Sequence, residues 1–223
     1  MIKVIFEDNH LLVVEKPVNI PVQLDQTQDE DLLSILKNYI KEKYKKPGNV
    51  YLGLIHRLDR PVGGVMVFAK TSKAASRLSD QLRRKVIKKE YHAIVESSNL
   101  KTKDTLIDNL IKDEKTNMVR VSNSPKAKKA ILHYNVVSIK NNLSLVKIEL
   151  ETGRSHQIRV QFASRNAPLL NDQRYNKNAT VNNQIALWAT CLTLEHPTSK
   201  ETMTFYSDLP MKKPWNIFKE EKL

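Results

Sequence analysis

Cysteine occurs once in this chain, at Cys191, and that scarcity excludes an internal disulfide and any cysteine-based metal cluster. The thiol lies in the apolar run from Ile185 to Leu194, the setting of a buried side chain rather than a nucleophile. Glycine is nearly as sparse, with five residues, and neither a Walker loop nor a dinucleotide-binding fingerprint is present. The six histidines form no i, i+4 pair and have no cysteine partners, which argues against a zinc site. No Gly-x-Ser-x-Gly elbow occurs, so serine-hydrolase chemistry has no support. No apolar run approaches the ~20 residues needed to span a bilayer. The start of the chain, Met1 to Asp8, lacks the basic stretch and long apolar region of a secretory signal. A cytoplasmic protein with no membrane partner is expected.

Positive charge is what the chain has in excess. Across 223 residues the formal net charge is +13, a balance that concentrates polyanions and makes nucleic acid the first partner to consider. The length suits a single domain, 1–223, with room for a sizeable core. Nothing in it demands more than a monomer.

Short strands dominate the pattern. Ile2 to Phe6 and Leu11 to Glu15 read as a starting hairpin, closed by Lys16-Pro17 because proline cannot donate to a sheet ladder. Thr27 and Glu30 have capping-box spacing ahead of an amphipathic helix carrying Leu32, Leu33, Leu36, Tyr39, Ile40 and Tyr44. Thr71 or Ser72 can cap a second helix with Ala75, Leu78, Leu82 and Val86 on one face, its end strongly basic. Residues 99–130 read as polar and irregular, apart from a weak strand signal at Met118 to Val121. Ile131 to Ile139 and Leu143 to Leu150 make a hairpin about Lys140-Asn141-Asn142. Ser155 is placed to cap a third helix with Ile158 and Phe162 inward, and Ile185 to Glu195 with Met203 to Tyr206 closes the chain as a last strand pair. Regular βαβ alternation is missing, so the expected fold is mixed α+β with a largely antiparallel sheet and flanking helices.

The chemistry gathers in two stretches. The first, Leu54-Ile-His-Arg-Leu-Asp59-Arg-Pro-Val-Gly-Gly64, sets one carboxylate at a strand end between Arg57 and Arg60. Beside a guanidinium an aspartate is an anion at neutral pH, suited to act as nucleophile or base at a glycosidic carbon. It is unsuited to the general-acid step of a two-carboxylate glycosidase. From these residues alone a structural ion pair reads equally well. The second stretch, Glu151-Thr-Gly-Arg-Ser-His-Gln-Ile-Arg159, tips the balance.

Together, His56-Arg57-Leu58-Asp59 and Thr152-Gly-Arg-Ser-His-Gln-Ile-Arg159 resemble the motifs of the RluA-type pseudouridine synthases, over a span from about Ile5 to about Phe205. The resemblance implies the pseudouridine synthase catalytic-domain fold and isomerisation of uridine in ribosomal or transfer RNA, with no metal, nucleotide or other cofactor. It makes Asp59 the nucleophile on a flipped-out uridine, Arg154 its guanidinium partner, and Tyr91 the residue that stacks on the base. Arg57 fills the gap left by the extruded base, His56, His156 and Gln157 orient the motif backbones, and Ile158 packs under the base. Arg83, Arg84, Lys88, Lys126, Lys128 and Lys129 are expected to meet the RNA backbone. The family's frequent N-terminal RNA-binding module is not expected here. Two departures stand out: Val62-Gly63-Gly64 replaces the usual Thr-Ser-Gly turn, and Asn171-Asp172-Gln-Arg-Tyr175-Asn176 replaces Gly-Asp-x-x-Tyr-Gly. Rival readings are an RNA-binding protein without catalysis and a hydrolase that would release free uracil.

Overall fold

The computed structural model describes residues 2–25 and 27–218. The chain divides into two compact units, Met1–Lys88 with Ala189–Asp208, and Lys89–Trp188 with Leu209–Leu223. The fold is mixed α+β and largely antiparallel, as the strand-rich pattern predicts.

In the first unit β1 (Lys3–Glu7) and β2 (Leu11–Lys16) form the expected hairpin. The Asp8 carboxylate closes its turn by accepting the N–H groups of His10 and Leu11 at 2.7 and 2.6 Å. Helix α1 (Leu32–Lys43) buries Leu32, Leu36 and Ile40 of the predicted stripe, while Tyr44, expected on it, is the exposed C-cap. Its cap, however, is Asp31, which accepts the Ser34 N–H at 3.1 Å, while Thr27 turns back onto Asp25. The carboxylate next to the helix start competes better for an orphan amide than a hydroxyl four residues earlier.

The next strand is shorter than the apolar run Tyr51 to Ile55 suggests, with only Gly53–Leu54 (β3) laddered to β4 (Gly63–Ala69). Every residue of β4 is buried, and it also pairs antiparallel with β2. Thr71 caps α2 (Ser72–Arg83) by accepting the Ala74 N–H at 3.1 Å. The helix stops there: Lys85 turns left-handed at φ 60°, and Val86 falls outside the predicted stripe.

The second unit opens within β5 (Lys88–Val95), the strand that the sequence reads from Lys89 to Val95 and that Lys88 also joins. Residues 99–130, read as irregular, hold a ten-residue strand β6 (Lys103–Lys112), β7 (Val119–Val121) and the start of β8 (Lys128–Lys140). Inward positions on β6 are Leu106, Asp108 and Leu110. Asp108 breaks the apolar alternation because Gln161 and Arg165 donate to its carboxylate at 2.7 and 2.8 Å. The β8–β9 hairpin, β9 being Leu143–Leu150, turns on Asn141 and Asn142 at φ 52° and 60°, the left-handed pair that a tight hairpin turn needs. Strand order within this unit is β5-β9-β8-β6-β7. Helix α3 (Gln157–Ala163) presents Ile158, Val160 and Phe162 to the core, with the Phe162 ring 5.2 Å from Tyr134. Its cap residue is His156 at φ 50°, not Ser155.

The chain ends its strands with β10 (Leu187–Glu195) paired to β11 (Thr202–Tyr206), the predicted last pair, and Cys191 is buried there opposite Tyr206. Gly64 has φ 118°, and a Cβ on it would stand 2.2 Å from the carbonyl oxygen of Ala189. That close approach of backbones explains why this turn holds glycine. Among the described residues no helix is long and apolar enough to cross a membrane.

Candidate active site

After Leu54 the chain leaves its ladder with β4, and side chains take over the task of holding it. The His56 ring does so directly: its Nε2 accepts the Val67 N–H of β4 at 3.2 Å. Buried Ile55 and Leu58 anchor the segment on either side of exposed Arg57. Asp59 then begins a tight turn in which its carbonyl accepts the Val62 N–H at 2.9 Å. The flanking arginine, Arg60, is engaged elsewhere, on the Asp29 carboxylate and on Thr27 Oγ1.

Beneath this turn lies Lys16, fully buried at the end of β2. Its Nζ donates to the carbonyls of Pro17 at 2.9 Å, Arg60 at 3.0 Å and Val62 at 2.8 Å. An ammonium has three donors, and here three carbonyls receive them. Burial pushes this lysine down to about 7, the negative charge of Asp59 opposing the shift and Arg60 adding to it. A cation therefore pins the carbonyls just after Asp59 and contributes an attractive field at its carboxylate. Sequence reading treats Lys16 only as a strand end. The signal was a charged residue closing an otherwise apolar strand next to proline.

In the second unit Tyr91 is buried on β5 opposite Ile148 of β9. Strand β9 delivers the 152–159 motif, whose backbone is organised by buried Gln157. Gln157 Oε1 accepts the Arg154 N–H at 3.0 Å and the Thr152 hydroxyl at 2.8 Å, while its Nε2 donates to the Ile131 carbonyl at 3.0 Å. The exposed Arg154 guanidinium is tethered through Nε to the Lys129 carbonyl at 2.9 Å. His156 Nδ1 lies 2.7 Å from the Tyr175 hydroxyl, which also accepts the Val119 N–H at 2.9 Å. Ile158 is buried at the first turn of α3.

A further pair belongs to this motif. Arg159 Nε and Nη2 donate to the Asp172 carboxylate at 2.8 and 2.7 Å, both side chains almost wholly buried. Asp172 also accepts the Arg174 N–H at 3.1 Å, and the Arg159 guanidinium sits 5.2 Å from the centre of the Tyr175 ring. The 171–176 loop, flagged in the sequence for its asparagines, is thus bound to the motif by the residues it keeps, Asp172 and Tyr175.

His56, Arg57 and Asp59 lie in the first unit, and Tyr91, Arg154, His156, Gln157 and Ile158 lie in the second. The expected RNA-backbone residues divide likewise. Arg83 and Arg84 both bond the Asp80 carboxylate at 2.6 Å, which offsets part of their charge. Lys88 is exposed at the start of β5. Lys126 is exposed in the turn before β8, and Lys128 and Lys129 are exposed on its first two residues, where successive side chains point to opposite faces.

Residues 10–164, more than half of the chain, match the family model described as RNA pseudouridylate synthase. An uncharacterised RNA pseudouridine synthase of Bacillus subtilis is 35% identical over 210 residues, covering 93% of this chain and 68% of that protein. A ribosomal large subunit pseudouridine synthase D of Haemophilus influenzae is 31% identical over 224 residues, covering 94% and 68%. Among solved structures, human RNA pseudouridylate synthase domain containing 4 shares the fold at a TM-score of 0.79 and 22% identity, covering 93% of this chain and 88% of that one. With the aspartate turn and the arginine motif both inside the matched residues, the chain belongs to the RluA-type RNA pseudouridine synthases, a family of isomerases.

Proposed function

We propose that the protein isomerises specific uridines to pseudouridine in ribosomal RNA, the substrate named for several of its relatives, or in transfer RNA. Reaching a uridine in structured RNA requires swinging it out of its stack, which costs a few kcal/mol and is least costly in loops. The Asp59 carboxylate attacks C1′ of the extruded nucleotide, forming an ester there as the bond from N1 to C1′ breaks. The uracil turns, C5 bonds to C1′ as the Asp59 ester bond breaks and frees the carboxylate, the proton on C5 leaves, and N1 takes up a proton. Atoms balance without oxidant, metal or nucleotide, so no cofactor is invoked. Tyr91 stacks on the base, Ile158 packs beneath it, and Arg57 occupies the gap in the RNA. Arg154, whose Nε is tethered to the Lys129 carbonyl, takes the role of guanidinium partner to the aspartate that the family resemblance implies. The enzyme acts as a cytoplasmic monomer, and its excess positive charge holds the RNA.

The observation that carries this reading is the turn at Asp59, whose following carbonyls, Arg60 and Val62, are clamped by the buried Lys16 side chain. Substitution Asp59→Asn tests it, using RNA labelled with tritium at uridine C5. Release of tritium should fall on the order of a thousandfold or more, as for loss of a nucleophile, while RNA binding persists. Undiminished release would overturn the assignment, and free uracil as product would replace isomerisation by hydrolysis. Comparing pseudouridine maps of RNA from cells with and without the protein identifies the target.

A further inference from the structure

Lys89 is a cation that the catalytic reading leaves unused. It lies two residues before Tyr91 on β5, so both side chains project from the same face, about 7 Å apart along the strand. It is partly buried, and its Nζ reaches the backbone of the arginine motif: a Cβ on Gly153 would stand 3.1 Å from it. Glycine there leaves room that any side chain would take from the ammonium. The neighbouring lysine, Lys88, is exposed in water. Burial lowers the proton affinity of Lys89 from the ordinary lysine value, and among the described residues no charged neighbour opposes it. Partly desolvated lysines without a counter-charge are uncommon away from functional sites, because taking an ammonium out of water costs energy that a partner normally offsets.

We infer that Lys89 binds a phosphate oxygen of the extruded nucleotide, next to the base that Tyr91 receives. The spacing suits this, since a sugar separates a base from its own phosphate on the same scale as two strand residues. An anionic oxygen supplies the counter-charge that the described residues do not. The inference rests on the reading of Tyr91 as the base-stacking residue.

The test uses the full chain carrying Asp59→Asn, which binds without turnover, and an unmodified transcript of large-subunit ribosomal RNA. Adding Lys89→Met, matched in length but uncharged, should weaken binding roughly tenfold at low salt. It should also reduce the slope of log affinity against log salt by about 0.9, the contribution of one phosphate contact. Lys89→Arg should keep the slope. An unchanged slope in a Lys89→Met protein that melts like its parent overturns the inference, as does a loss confined to turnover in the otherwise native enzyme. If Asp59→Asn leaves tritium release intact, the catalytic reading has failed instead. If Asp59→Asn is silent and the Lys89→Met slope is normal, only the phosphate contact has failed.

Discussion

The two motif-bearing segments are held by different chemistry. Under the Asp59 turn the clip is Lys16, a buried cation with three donors on three carbonyls. Under the Arg154 loop it is Gln157, a buried neutral amide that accepts from one residue pair and donates to a third. Each matches the sign of what it holds near. A positive clip attracts the negative charge of Asp59, whereas a second positive charge under Arg154 would oppose its guanidinium. The neutral clip also costs less to bury, and its grip does not depend on pH.

Three perturbations sharpen that contrast. The largest expected effect on stability lies in neither clip but in the ion pair bracing the Gln157 side. Asp172→Ala leaves the Arg159 guanidinium buried without its carboxylate, and about 3–5 kcal/mol of unfolding free energy should be lost, measured by urea denaturation. A loss under about 1 kcal/mol would mean that water or another acceptor replaces the carboxylate.

Lys16→Met comes next. It strands three carbonyls that share one ammonium, and about 2–4 kcal/mol should be lost. The wild-type advantage should also vary with pH. The folded-state value near 7 lies below the unfolded value of 10.5, so between these limits the unfolded chain holds more protons. Stability contributed through this group therefore rises with pH across that window and is flat below it. Denaturation of both proteins from pH 6.5 to 9.5 should show the gap widening. A constant gap would mean that the three carbonyls keep the ammonium protonated throughout.

Gln157→Met should have the smallest effect, about 1–2 kcal/mol with no pH dependence over the same range. Amide hydrogen exchange at Arg154 should quicken, since its N–H loses its acceptor. Unaltered exchange there would show that the loop holds its shape without the amide.

Much of this fold was legible because its periodic elements are clean. The stripe Leu32, Leu36, Ile40 and the turn at Asn141-Asn142 needed only local rules. Strand β6 was not legible: an aspartate on its inward row hides the alternation, and its partners Gln161 and Arg165 lie some fifty residues away. The same limit applies at the site. Asp59 and Arg154 stand out as motif residues, but Lys16 and Asp172 acquire meaning only through long-range hydrogen bonds. A buried charge is read from its partners, and a linear pattern does not name them. Arg60 shows the converse, since its place in the sequence suggests a partner in Asp59 while its guanidinium bonds Asp29.

The solitary sulfur on β10 has a practical consequence. Cys191 is buried within the β10–β11 hairpin, and no second thiol exists to blur its signal. A maleimide or disulfide reagent can therefore label the protein only when that hairpin parts, and the labelling half-time becomes a stopwatch for its opening. Run with RNA present and absent, it reports whether substrate slows the breathing of those strands, without any engineered probe.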